Sequence, residues 1–117
     1  MPSYYIYDKK SLKAVQKNSF DKDTIYLIYS KHCGPCHMFL PLWTAFTKKH
    51  NKDSVAVEVS FVNSITNPVI KKHLENMMEA KPYVPNVAKH SMKTNRTYLF
   101  NKDRTMKNLL KFFPKMI

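Results

Sequence analysis

The sequence predicts an α/β fold, with a central mixed β-sheet of four to five strands flanked by about four helices. Two observations support this prediction. Strand-like and helix-like segments follow one another in the order β-α-β-α-β-α-β-β-α. The run at residues 25–29 is apolar on both faces, as expected for a central strand that is covered on both sides. The early alternation implies parallel strands with right-handed crossovers, and the terminal hairpin adds antiparallel strands at an edge.

The first half of the chain is predicted to contain two strands and two helices. Residues 4–7 are a short strand candidate, and residues 9–17 are a short helix. Residues 21–23, Asp-Lys-Asp, form a turn before the strand at 25–29. A longer helix covers residues 33–50, and its apolar positions recur at helical spacing: Phe39, Leu42, Trp43 and Phe46.

The second half is predicted to contain three further strands and two helices. Valine and phenylalanine alternate with other side chains over residues 55–62, which predicts a strand. Pro68 lies in the first turn of the next helix, whose apolar positions are Ile70, Leu74, Met77 and Met78. Residues 86–90 and 96–100 are strand candidates joined by a hairpin turn. Asp103 is expected to cap the last helix, whose apolar stripe consists of Met106, Leu109, Leu110 and Phe113.

Length and termini indicate one intracellular domain. The 117 residues, 1–117, correspond to a single domain. The N-terminus lacks the pattern of a secretory signal, and no stretch approaches the roughly 20 apolar residues that span a membrane. We therefore expect a cytoplasmic location, or the virion in the case of a viral protein. In a reducing compartment, a close cysteine pair is more often catalytic or metal-binding than structural.

The net charge is strongly positive. Twenty Lys and Arg residues stand against eight Asp and Glu residues, which gives a formal charge of +12. Such a balance is compatible with nucleic acid, an acidic protein or an anionic surface as partner. The lysines are scattered, however, with no run of five or more, which favours a solvated surface over a nucleic-acid site.

The residues that indicate a chemical activity lie in and around one short motif. The only two cysteines of the chain lie in Cys33-Gly34-Pro35-Cys36, directly after the buried strand at 25–29 and at the start of a helix. At a helix N-terminus, free N–H groups and the helix dipole favour negative charge, and therefore a thiolate at Cys33. Lys31, His32 and His37 add positive or titratable groups nearby.

This constellation resembles the thioredoxin family over nearly the whole chain. Pro41 falls five residues after the second cysteine, where thioredoxins kink this helix. Val84-Pro85 lies about fifty residues downstream and directly before a strand, like the cis-proline step that faces the disulfide in that family. Pro82 is the alternative position for that proline.

The resemblance implies a thioredoxin-like fold and a thiol–disulfide oxidoreductase without a cofactor. Cys33 would be the exposed nucleophile, and the more buried Cys36 would complete a redox-active Cys33–Cys36 disulfide. Gly34 and Pro35 would shape the turn, with Lys31 and His32 tuning the site, and Val84 and Pro85 would face the substrate. A Gly-Pro pair resembles reducing members, which favours a reductase of protein disulfides, recycled by an unidentified electron donor or reductase.

Two positions depart from the family pattern. His32 stands where a Trp usually precedes the first cysteine, and Leu27 stands where many thioredoxins have a buried Asp that accepts a proton. Glu58, on the neighbouring strand, is a candidate proton carrier for Cys36, and a water molecule or a partly exposed strand face is the alternative.

Three other hypotheses fit parts of the sequence. Residues 33–37 match the C-x-x-C-H pattern of c-type haem attachment. His32, Cys33, Cys36 and His37 could supply ligands to zinc or to an iron–sulfur cluster, although adjacent side chains diverge. The charge of +12 fits a basic adaptor that binds nucleic acid or an acidic partner on a thioredoxin fold, with redox activity secondary.

Overall fold

A five-stranded mixed sheet forms the centre of the protein. The computed structural model describes residues 3–16, 22–50 and 52–113. The strands are β1 (Ser3–Ile6), β2 (Thr24–Tyr29), β3 (Asp53–Glu58), β4 (Asn86–Ser91) and β5 (Arg96–Leu99). Their order across the sheet is β1-β3-β2-β4-β5. The pairs β1–β3 and β3–β2 are parallel, whereas β2–β4 and β4–β5 are antiparallel, as predicted.

Helices cover both faces of this sheet. They are α1 (Lys9–Gln16), α2 (Gly34–Lys49), α3 (Pro68–Ala80) and α4 (Met106–Phe112), with a short 3-10 helix at Val59–Ser64. Pro41 lies within α2, which continues past it, and the kink expected there stays a prediction. The turn predicted at 21–23 lies partly outside the described residues. Within the described ranges, no helix combines the length and apolar character that a membrane span requires.

The central strand β2 separates two apolar cores because successive side chains point to opposite faces. All six residues of β2 are buried. Tyr26 and Ile28 face α1 and α3, in a core with Val15, Ile70, Leu74 and Met77. Ile25, Leu27 and Tyr29 face α2 and α4, in a core with Cys36, Phe39, Trp43, Phe46, Leu109 and Phe113. The double coverage explains why β2 has no polar face.

Two sequence predictions about element ends were wrong. The strand predicted at residues 55–62 ends at Glu58, because its neighbours end there: Ile6 of β1 pairs with Val57, and Tyr29 of β2 pairs with Glu58. Beyond that point the backbone has no strand partner and forms the 3-10 helix. The cap of α4 is Thr105, not Asp103, since the Thr105 hydroxyl accepts the backbone N–H of Asn108 at 3.1 Å.

Candidate active site

The two cysteines lie where β2 passes into α2. Cys33 has an extended backbone and is the N-cap of α2, while Cys36 is the third residue of the helix. The Sγ of Cys33 accepts the backbone N–H of Cys36 at 3.2 Å, so the sulfur replaces the usual hydroxyl or carboxylate of a cap. Pro35 occupies the first turn, where its missing N–H leaves no hydrogen bond unmade. Both sulfurs are free thiols in this structure.

Burial distinguishes the two thiols. Cys33 is half-buried, whereas Cys36 is fully buried in the core that contains Leu27. Burial raises the pKa of Cys36 to about 11, and its interaction with the Cys33 side chain acts in the same direction. The N–H of Ser30, 3.5 Å from the Cys36 sulfur, and the charge of Arg104 both oppose this rise in the pKa. Cys36 is therefore a protonated, protected thiol in the free protein.

A set of hydrogen bonds holds the turn before Cys33. The Glu58 carboxylate accepts the backbone N–H of Lys31 at 3.1 Å and that of Ser60 at 2.9 Å, and it also accepts the Ser60 hydroxyl. These bonds keep the pKa of Glu58 below its usual value although burial acts against them. The imidazole Nε2 of His37 donates to the carbonyl of Lys31 at 2.5 Å. The turn is thus fixed from β3 on one side and from α2 on the other.

The segment at Val84-Pro85 lies across from the cysteines. The Cys33 sulfur is 3.9 Å from the Val84 carbonyl oxygen, and the Val84–Pro85 peptide bond is cis. Pro85 is buried, whereas Pro82 is exposed. The structure therefore brings Val84 and Pro85, rather than Pro82, next to the cysteine pair.

The remaining predicted site residues are at the surface. Lys31, His32, Gly34 and Pro35 are exposed. The backbone N–H of His32 donates to the Ser30 hydroxyl at 3.2 Å. A Cβ added to Gly34 would meet no atom within 4 Å, so packing does not require glycine at this position. The part of the chain that the structure describes contains no group of three or more His, Cys, Asp or Glu side chains that could hold a metal ion.

Arg104 is a residue of this region that the sequence did not single out. It lies in the exposed segment between β5 and α4, and it borders two grooves beside the cysteines. The first groove, about 420 Å³, is lined by Pro35, Met38, Phe39, Leu42 and Arg104. The second, about 140 Å³, is lined by Lys81, Pro85, Val87, Phe100, Asn101, Lys102 and Arg104. Nothing in a linear sequence distinguishes this arginine from other surface cations, because its place depends on how α4 packs beside α2.

Comparison with known proteins gives a likeness of fold. No known family profile and no curated protein matches the chain in sequence. Thioredoxin O1 from Arabidopsis thaliana, in its oxidised state, is similar in structure at TM-score 0.58 and 13% identity, over 97% of this chain and 98% of that one. A mutant thioredoxin from Halobacterium salinarum is similar at TM-score 0.55 and 14% identity, over 98% and 93% of the two chains.

A multidomain protein provides a third similar structure. The J-Trx1 fragment of ERdj5 is similar at TM-score 0.57 and 18% identity, and the match covers 93% of this chain. The chain spans about half of that fragment, since the match covers 49% of it. The sheet order, the helices on both faces and these likenesses agree, and the chain is therefore a thioredoxin-like protein in its fold.

Proposed function

We propose that this protein is a thiol–disulfide oxidoreductase that reduces protein disulfides with Cys33 and Cys36. One observation carries the proposal: a half-buried sulfur caps α2 one turn before a fully buried sulfur. The first sulfur can be reached from solvent and accepts a helix N–H, so it is the sulfur placed to attack a disulfide. The second is protected until the first has reacted.

The reaction balances with the two sulfurs alone. The Cys33 thiolate attacks one sulfur of the substrate disulfide, the substrate S–S bond breaks, and the leaving sulfur takes up a proton. Cys36 then loses its proton and attacks the Cys33 sulfur, so that a Cys33–Cys36 disulfide forms and the second substrate thiol leaves. Two electrons pass from the protein to the substrate, and an electron donor or reductase must return them for the next cycle. This scheme requires no cofactor in the protein itself, and it fits the reducing compartment that we expect from the sequence.

The Val84-Pro85 segment is the proposed contact for the substrate backbone. The Val84 carbonyl lies 3.9 Å from the attacking sulfur, so a bound chain would meet this segment as its disulfide reaches Cys33. A backbone carbonyl can accept an N–H of an extended substrate in the manner of an added strand. This role applies to Val84 and Pro85, while Lys31 and His32 remain candidates for tuning the thiolate.

Glu58 is less suited to carry a proton to Cys36 than the sequence suggested. Its carboxylate binds Lys31 and Ser60, and these bonds favour the ionised form at neutral pH. We assign it the role of positioning the turn before Cys33. Leu27, in place of an acidic residue, leaves the Cys36 proton to be taken up by solvent or by the departing substrate thiolate.

The test is the reduction of a model disulfide by the wild type, Cys33→Ser and Cys36→Ser. We expect Cys33→Ser to lose the activity. Cys36→Ser should attack once and remain attached to its substrate as a mixed disulfide that mass spectrometry detects. Full activity of Cys33→Ser would show that the assigned nucleophile is wrong.

The alternative of a basic adaptor rests on the charge of +12. It makes a different prediction, because phosphate contacts depend on salt and not on a thiol. Salt-dependent binding of nucleic acid that Cys33→Ser leaves unchanged, together with no reduction of any disulfide by the wild type, would favour the adaptor.

A further inference from the structure

Three cations line a groove on the surface beside the cysteine pair. Arg104 separates the two grooves described above, and one groove reaches Pro35 while the other reaches Pro85. The second groove also carries Lys81 and Lys102, so three cations lie along it. We call Lys81, Lys102 and Arg104 the basic rim. Because Pro85 lines the second groove, a disulfide that reaches Cys33 against the Val84-Pro85 segment would bring its neighbouring residues close to this rim.

Among the residues that the structure describes, no carboxylate forms an ion pair with a cation of the basic rim. The ion pair present joins Lys52 to Asp23, and the exposed Asp103, between Lys102 and Arg104 in the chain, makes no salt bridge with either of them. Glu58, the other carboxylate near the cysteines, is buried and bound to Lys31 and Ser60. The charge of Arg104 also reaches the pair, since it opposes the raised pKa of Cys36. The rim therefore presents positive charge to an approaching chain.

We propose that the basic rim selects acidic substrates, that is, polypeptide disulfides whose cysteines are flanked by Asp or Glu, and that Arg104 is the residue that sets this preference. The inference rests on the proposed reductase function and adds its substrate class. Arg104 borders both grooves, and a guanidinium can bind a carboxylate through two parallel hydrogen bonds, which Lys81 and Lys102 cannot do. Charge complementarity of this kind acts on association and on the choice of partner.

The test uses three cyclic disulfide peptides that differ only in the residues beside each cysteine, which are Glu, Gln or Lys. The pre-reduced protein is mixed with each peptide, and the second-order rate constant for one turnover is measured by acid quench and chromatography. No added electron donor is needed. We expect the Glu peptide to react about threefold faster than the Gln peptide, and the Lys peptide to be slowest, in keeping with the strength of exposed ion pairs. High salt should reduce these differences because it screens exposed charges.

The two arginines of the chain provide matched variants. Arg104→Gln and Arg96→Gln each remove one positive charge from the same total of +12. Arg96 is exposed and pairs with Ser91, at the end of β4 that lies away from Pro85. Arg104→Gln should bring the Glu/Gln rate ratio close to one. The ratio, and not the absolute rate, is compared because the charge of Arg104 also opposes the raised pKa of Cys36. Arg104→Lys should keep part of the preference, and Arg96→Gln should keep all of it.

The possible results distinguish a wrong substrate class from a wrong reductase function. Equal rates for the three peptides would overturn the acidic preference and leave the reductase function in place. An equal loss of preference in Arg104→Gln and Arg96→Gln would show that total charge, not the basic rim, is responsible. Failure of the wild type to reduce any of the peptides would overturn both the function and the inference that rests on it.

Discussion

A buried histidine pair should make the stability of this protein sensitive to mild acid. His73 of α3 and His90 of β4 are both buried, and their rings stack with centroids 3.6 Å apart. The Tyr26 hydroxyl lies 2.7 Å from Nδ1 of His73, which fits a neutral ring that accepts this hydrogen bond. Burial lowers the pKa of His73 from 6.5 to about 4, with further contributions from His90 and Lys72.

The expected loss of stability in mild acid follows from proton binding at His73. Between pH 6.5 and about pH 4 the unfolded chain binds a proton at His73 that the folded protein excludes, so the free energy of unfolding falls as the pH falls through this window. At about 1.4 kcal/mol per pH unit, His73 alone accounts for roughly 2–3 kcal/mol between neutral pH and about pH 4.5. Burial also lowers the pKa of His90, which adds a loss of the same sign. This is a large part of the roughly 5–15 kcal/mol that is typical of a folded domain.

The perturbation is His73→Phe, and the assay is urea unfolding at a series of pH values from 7 down to about 4.5. Phenylalanine keeps a ring against His90 but cannot be protonated. Because Tyr26 loses its acceptor, we expect the variant to be less stable than the wild type at pH 7, by about 1–3 kcal/mol. Its stability should nevertheless fall less steeply with acidification. His32→Gln, at an exposed position, is the control and should follow the wild type. Parallel curves for the wild type and His73→Phe would refute the reasoning.

Three further predictions concern the site and its supports. Glu58→Gln should lose about 1–2 kcal/mol of unfolding free energy at pH 7, since a neutral amide accepts the N–H groups of Lys31 and Ser60 less strongly. Because the pKa of Glu58 is lowered in the folded protein, the difference in unfolding free energy between the wild type and Glu58→Gln should shrink as the pH falls below about 4.5. Glu79→Gln, at an exposed position, is the control, and urea unfolding should show no such trend for it. Iodoacetamide at pH 8 should label Cys33 much faster than the buried Cys36, whose pKa is raised to about 11, and equal labelling in peptide maps would contradict the burial assignment. Thr105→Ala should lower the free energy of unfolding by about 1 kcal/mol in thermal or urea unfolding, whereas Asp103→Asn should have little effect. A larger loss of stability in Asp103→Asn than in Thr105→Ala would show that Asp103 is the cap.

The fold could be predicted from the sequence because its main signals are local. The apolar run of β2 has no polar face, and the structure covers it on both sides. The spacing of apolar residues in α2 and α3 also reflects a property of single helices. Where the prediction failed, a neighbouring element decided: β3 ends at Glu58 because β1 and β2 provide no further partner.

The candidate site also combines features that the sequence indicates with features that depend on residues far apart in the chain. The cysteine motif and its place after β2 can be found in the sequence itself, and the resemblance to the thioredoxin family indicated the proline at 85. The bond from Lys31 to Glu58 joins residues 27 positions apart, and that from Tyr26 to His73 joins residues 47 apart. Neither leaves a periodic pattern, so neither could be predicted.

By itself, the sequence determined the order of elements, the central strand and the pair of thiols at the start of a helix. These features depend on residues that are close along the chain, where backbone geometry fixes which side chains share a face. Only the tertiary structure decided which residues surround the thiols. Cys36 is buried in the core that contains Leu27, the Glu58 carboxylate binds the turn before Cys33, and Arg104 borders both grooves. Burial and charge are properties of neighbours in space, and packing brings those neighbours from distant parts of the chain.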